Sequence, residues 1–145
     1  LAKGQAGADD YGEYLNKTLP EIDYAPVSFT TANVGRNVDS TVDLATELLK
    51  QSRVRVPTGQ LNQTLREAIA QNEHSAGRGS RRPKFFYATQ ASVEPPTIVV
   101  FVNDPELVSQ SYTRFLINRM RERLPFDEVP IRLVIRGRRE AAVGA

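Results

Sequence analysis

The chain is 145 residues long, 40% apolar and 25% charged, with a formal net charge of +2. No apolar run approaches the ~20 residues of a membrane-spanning helix, and the lack of cysteine removes disulfides, thiolate nucleophiles and the common zinc frameworks together. The length suits one ordinary domain, or a small domain with part of another.

The first ten residues, "LAKGQAGADD", carry no apolar run after Lys3, so no signal peptide is read and a cytoplasmic protein is expected. Tyr11, Tyr14, Leu15 and Leu19 then share one helical face, with Asp9 and Asp10 at the positive end and Pro20 as the stop. "APVSFTTA", residues 25–32, reads as a short strand. After the turn residues Gly35 and Asn37, a second helix is predicted from the spacing of Val38, Val42, Ala45, Leu48 and Leu49. One strand cannot make a sheet, so this helix-strand-helix stretch is expected to lack its pairing partner or to be poorly ordered.

A connector, "SRVRVP", leads to a different body. Leu61, Leu65 and Ile69 predict a helix of about four turns, with Thr58 as its N-cap. The polar loop "NEHSAGRGSRRPK" follows; it holds His74, the single histidine, read as a solvated loop residue. "FFYATQASV" and "TIVVFVN" read as strands joined at Pro95-Pro96. Val108, Tyr112, Phe115, Leu116 and Met120 predict a helix with basic residues opposite, while Asp104 and Glu106 before it read as N-terminal capping charges. In "PIRLVIRGR", Ile131, Leu133 and Ile135 alternate with Arg132, Val134 and Arg136, which predicts a last strand. The order α-β-β-α-β implies an α+β domain with two helices packed on one face of a three-stranded sheet.

Charge separates the two bodies. Residues 1–50 hold four basic side chains against eight acidic ones, and the remainder hold fifteen against nine, so a polyanionic partner is sought in the second half. Arg78, Arg81, Arg82 and Lys84 crowd the long loop and suit sequence-blind phosphate contact; Arg119, with Arg114, Arg121 and Arg123, extends the basic field along the helix. The bland alternative is a solvated surface.

The runs "RVPTGQLNQTLREAI", "YATQASVEPPTIVVFVND", "SYTRFLINRMRE" and "PIRLVIRGR", in this order and spacing, closely resemble the C-terminal domain of the bacterial GTPase family Der, also called EngA. The resemblance covers most of residues 53–139. It implies a KH-like domain there, a tail at 140–145, and before them, at 1–52, the closing, incomplete α/β piece of the second of two tandem P-loop GTPase domains. It also implies a role in large-ribosomal-subunit assembly, with ribosomal RNA or the pre-ribosomal 50S particle and the parent's own GTPase domains as partners. In that family a guanine-specifying Asn-Lys-x-Asp sequence is followed by a Ser-Ala loop. Leu1 resembles the residue just after the former, and Thr31, Ala32 and Asn33 match the latter, where the Ala32 amide donates to guanine O6 and the hydroxyl holds the loop's shape. Threonine in place of serine keeps that hydroxyl.

By the same resemblance GTP and magnesium belong to the parent. The chain has no Gly-x-x-x-x-Gly-Lys-Ser/Thr loop to cradle phosphates, so no cofactor, metal site or catalytic residue is expected in it alone. "GQAG" at residues 4–7 fits the KH Gly-x-x-Gly pattern, but it lies far upstream in the acidic half and is read as chance. Both faces of "TIVVFVN" are apolar, and two helices cover one face of a sheet. Val99, Phe101 and Val134 are therefore expected to form a docking surface for a GTPase domain of the parent. The competing reading is a self-contained RNA-binding domain independent of GTP.

Overall fold

The computed structural model describes residues 7–73 and 81–138. They fall into two compact units that divide between Leu48 and Leu49.

In the first unit, helix α1 spans Ala8–Thr18. Asp10 turns back to accept the Gly7 N–H at 2.9 Å, which satisfies one of the amides a helix start leaves open. Pro20 then ends the helix and opens a short 3-10 turn, Pro20–Ile22. The strand expected over residues 25–32 does not form. Among the described residues its only sheet-like pairing is a single bridge from Thr31 to Arg36. The segment has strand-forming side chains but no second strand to complete its hydrogen bonds. It is held instead by side chains: the Asn37 amide donates to the Phe29 carbonyl at 3.0 Å, and the Ser28 and Thr41 hydroxyls meet at 2.6 Å. Helix α2, Val38–Ser52, begins after Asn37 and runs across the division between the units.

The second unit holds helix α3 (Thr58–Gln71), strands β1 (Phe85–Ser92) and β2 (Thr97–Val102), helix α4 (Gln110–Arg123) and strand β3 (Arg132–Gly137). This is the predicted α-β-β-α-β order, an α+β KH-like arrangement. The sheet order is β1-β2-β3, antiparallel between β1 and β2 and parallel between β2 and β3. The parallel pair follows from connectivity, since α4 carries the chain back to the starting end of the sheet. Helix α3 packs on β1 and against α4. Leu61, Leu65 and Ala68 of α3 and Leu116 and Met120 of α4 are buried with Ala88, Ile98, Val100 and Val102 of the sheet. Each large aliphatic side chain removed from water this way contributes roughly 1.5–3 kcal/mol relative to exposure.

Helix starts differ in detail from the sequence expectation. Pro57 occupies the N-cap position of α3 and Thr58 is already its first helical residue, because proline's fixed φ suits the helix entrance. Asp104 caps a separate 3-10 turn, Pro105–Leu107, by accepting the Glu106 N–H at 3.0 Å, and α4 is capped by the Ser109 hydroxyl.

Side chains cover part of the outer edge of β1. Asn62 of α3 accepts the Ala88 N–H at 2.8 Å and donates to the Ala88 carbonyl at 2.9 Å. Beside it the Gln90 side chain anchors the connector, accepting from Val56 N–H at 2.8 Å and donating to the Val54 carbonyl at 2.9 Å, while Arg55 donates to the Gln90 carbonyl at 3.5 Å. The Asn62 amide imitates a strand neighbour at Ala88, which covers the middle of that edge. Asn62→Ala should therefore cost about 2–4 kcal/mol, because it strands two backbone groups of a fully buried residue. Urea denaturation measures this, and a loss below about 0.5 kcal/mol would mean water replaces the amide.

Candidate functional site

Three groups of residues were expected to act, and the structure gives each a distinct setting. Thr31, Ala32 and Asn33 lie in a tight closed turn. The Thr31 N–H donates to the Arg36 carbonyl at 3.0 Å, and the Arg36 N–H donates back to the Thr31 carbonyl at 3.2 Å. Between them Ala32–Val34 forms one 3-10 turn, completed by Gly35 at φ 69°. Glycine is suited to that left-handed position because a Cβ would strain it. The Ala32 and Asn33 amides start the turn, so they have no acceptor within it. Among the described residues they have none elsewhere, and both residues are exposed. Two adjacent free N–H groups are a donor pair for a carbonyl oxygen. The loop is closed by the Thr31 backbone; among the described residues the Thr31 hydroxyl makes no hydrogen bond.

The basic group divides by how far each cation is already engaged. Arg78 lies outside the described residues, as do His74, most of "GQAG" and the tail. Arg81, Arg82 and Lys84 are exposed just before β1. Arg82 pairs with Glu73 at 3.2 Å, but both side chains are more than 60% exposed, so the pair is worth at most about 1 kcal/mol. The Lys84 backbone is fixed by a two-way bond to Asn103, at 2.7 and 3.0 Å. Its ammonium lies 5.7 Å from the Phe86 ring centre, and Arg138 lies 5.1 Å from the same ring. Arg119 is more constrained: it pairs with Glu122 at 2.9 Å, lies over Phe115, and has a buried Nε without an acceptor. Arg121 belongs to the fold. It donates to the Phe126 carbonyl at 2.9 Å and the Val129 carbonyl at 2.6 Å, while Arg114 and Arg123 are exposed.

The third group forms one strip across the sheet. Val99 lies between Thr89 and Val134, and Phe101 between Tyr87 and Arg136. Val99 and Phe101 are buried, Val134 is half-buried and Tyr87 is 44% exposed. The Tyr87 ring stacks on Phe101 with centroids 4.6 Å apart. Tyr87 was not singled out from sequence, because only the strand register places it beside Phe101.

At the end of α3 the Tyr112 hydroxyl donates to the Asn72 carbonyl at 2.7 Å. Burial first, and then the Glu73 carboxylate, push its pKa above the usual 10.0. An acid whose folded-state pKa is raised keeps its proton while the unfolded chain ionises, so stability is unaffected below pH 10 and falls above it. Tyr112→Phe should flatten that alkaline fall while costing about 1 kcal/mol at neutral pH. Equal alkaline slopes in denaturation curves of the two proteins would refute the assignment. A cleft of about 260 Å³ opens between Ile69, Glu73, Pro83, Lys84 and Phe85. It is smaller than the ~300–1,000 Å³ of ordinary ligand pockets. Among the described residues no group of acidic or histidine side chains is placed to hold a metal, and no helix is long and apolar enough to cross a membrane.

Residues 55–136 match the profile of the KH-domain-like region of EngA bacterial GTPase enzymes, C-terminal. The chain is 48% identical over 126 residues to a GTPase Der of Rhodopirellula baltica, covering 87% of this chain and 28% of the relative. It is 41% identical to the GTPase Der of Thermomicrobium roseum and 43% identical to that of Listeria welshimeri, covering 97% and 96% of this chain but 30% and 32% of the relatives. It thus spans about a third or less of the length of these proteins. With the α-β-β-α-β unit in place, the profile covering most of that unit and the relatives aligned along nearly the whole chain, the protein belongs to the EngA (Der) family of bacterial GTPases and carries that family's C-terminal KH-like domain.

Proposed function

We propose that this chain is the C-terminal part of a cytoplasmic tandem-domain GTPase that acts in assembly of the large ribosomal subunit. Residues 53–139 are its RNA- and protein-docking module, and residues 1–52 close its second GTPase domain. The observation that carries this reading is that similarity to proteins named GTPase Der runs through both units, while the KH-like profile is confined to the second. A self-contained RNA binder has no use for the first. In the parent, GTP and magnesium are held chiefly by segments beyond this sequence, and Thr31, Ala32 and Asn33 contribute the guanine loop. The free Ala32 amide supports that role. Calorimetry of the chain with GTP and magnesium should give no binding tighter than millimolar, because two amides replace none of the phosphate loop's contacts. A submillimolar affinity would overturn the division of labour.

RNA contact is assigned to Arg78, Arg81, Arg82 and Lys84, with Arg119 at the margin. The exposure of Arg81, Arg82 and Lys84 supports this. Replacing Arg81, Arg82 and Lys84 by Ala together should weaken binding to a structured ribosomal RNA fragment about tenfold or more and lower the slope of log K against log salt by about 2–3. Binding that keeps its affinity and slope would move the site off this segment.

Val99, Phe101 and Val134 are proposed to dock a GTPase domain of the parent, so that nucleotide state governs access to the KH-like module. Val134→Lys serves as the probe because Val134 is half-buried, whereas Val99 is almost fully enclosed. In the full-length parent it should expand the particle in one nucleotide state only, as seen by X-ray scattering. Identical scattering from wild type and variant in every state would remove this surface from the mechanism.

A further inference from the structure

Among the described residues, strand β3 has an open edge. It pairs with β2 through Thr97–Arg132, Val99–Val134 and Phe101–Arg136, and Arg132 N–H donates to the Pro96 carbonyl at 2.9 Å. In a parallel ladder alternate residues direct both backbone groups to the same neighbour. Arg132, Val134 and Arg136 therefore bond inward to β2, and the N–H and C=O of Leu133 and Ile135 point away from the sheet. Among the described residues nothing pairs with them. At β1, in contrast, Asn62 bonds both outward backbone groups of Ala88 and Arg55 reaches the Gln90 carbonyl.

The side chains beside this edge define what fits it. Arg132 and Arg136 lie on one face of the strand and are exposed, and among the described residues neither has a carboxylate partner. Leu133 and Ile135, on the other face, are half-buried. A second copy of β3 is a poor occupant: antiparallel pairing centred on Val134 sets Arg132 opposite Arg136, and like charges directly opposed destabilise a strand pair. A phosphodiester backbone satisfies the guanidiniums but offers nothing to the outward carbonyls. An extended peptide uses both carbonyls and amides, and acidic residues at every second or fourth position meet the arginines while intervening apolar ones cover Leu133 and Ile135.

We propose that the outer edge of β3 receives an extended acidic segment of another protein by strand addition, with Arg132 and Arg136 selecting alternating carboxylates. This surface is separate from the basic segment before β1, so it stands or falls independently of the RNA assignment.

The test is amide exchange by NMR on the whole chain, with the blocked peptide Glu-Val-Glu-Val-Glu as probe. Without peptide, the Leu133 and Ile135 amides should exchange far faster than those of Val99–Val102, and peptide should slow them. Methylating the two valine nitrogens should abolish this, because it removes the peptide's donors to the β3 carbonyls. The double variant R132E/R136E keeps the fold, since both positions are exposed. It should lose about tenfold or more in affinity for the glutamate peptide and gain the corresponding Lys-Val-Lys-Val-Lys peptide. The R81A/R82A/K84A variant should bind the glutamate peptide normally. Three results would overturn the proposal: outward amides already protected in the free chain, equal binding of the methylated peptide, or a short oligouridylate protecting these amides when the peptide does not.

Discussion

In amide exchange on the whole chain, Val27–Phe29 should lose their protons on the timescale of an open loop, while Val99–Val102 should exchange only through global unfolding. The basis is where the apolar surface lies. No described residue from 7 to 48 is buried. Tyr11, Tyr14, Leu19, Ile22, Val27, Phe29, Val34 and Val42 are all between 42% and 70% exposed. Ordering each residue costs roughly 1–2 kcal/mol of backbone entropy, and surface contacts such as Tyr11 with Phe29 at 5.9 Å offset little of it. Residues 49–138, in contrast, hold every fully enclosed side chain among the described residues. For a domain of ordinary stability, about 5–15 kcal/mol, protection there should exceed that of Val27–Phe29 by roughly 10³-fold or more. Equal protection in both stretches would mean that the first unit possesses a core of its own.

That unequal burial explains why some of the structure was legible in the sequence and some was not. Leu61 and Leu65, or Tyr112, Leu116 and Met120, recur at the helical period and are buried together as the pattern predicts, whereas Ile69 is half-buried and Ala68 beside it takes the enclosed place. The alternation in "IRLVIR" marked β3 correctly. "APVSFTTA" had the same local character and formed no strand, because a strand depends on a neighbour that local sequence cannot supply. The bonds of Asn62 to Ala88, 26 residues apart, and of Gln90 to Val54 and Val56 are likewise non-local, and nothing in the composition of "GQLNQT" distinguishes an edge-closing amide from a surface one.

The candidate sites divide on the same line. A run such as "GRGSRRPK" displays its charge directly, so Arg81, Arg82 and Lys84 could be named. Which arginines are spoken for required coordinates: Arg119 and Arg121 are two residues apart on one helix, yet the first leans on Phe115 and Glu122 and the second holds a loop. Thr31–Asn33 could be named only through resemblance, since a threonine, an alanine and an asparagine in a row carry no chemistry by themselves. What gives them a donor pair is the turn closed by Thr31 and Arg36.

The loop after α4 provides the largest single-residue effect. Leu124, Phe126, Val129 and Ile131 are buried while the residues between them face solvent, so this connection is part of the core rather than a surface strap. Phe126 is among the largest side chains that are fully enclosed. Phe126→Ala should cost about 3–5 kcal/mol, because the ring's transfer energy is lost and the tightly packed surroundings cannot collapse onto the space. Arg121 secures the same loop through its carbonyls. Arg121→Ala should cost about 1–3 kcal/mol, because one nitrogen, Nη1, donates to the Phe126 and Val129 carbonyls together and both lose their donor. Urea midpoints on the whole chain give both values. RNA affinity, measured where each variant is still folded, should be unchanged for Arg121→Ala but reduced for R81A/R82A/K84A, which separates an arginine that builds the domain from those that serve it. A Phe126→Ala loss below about 1 kcal/mol, or an Arg121→Ala protein of full stability with weakened RNA binding, would reverse these roles.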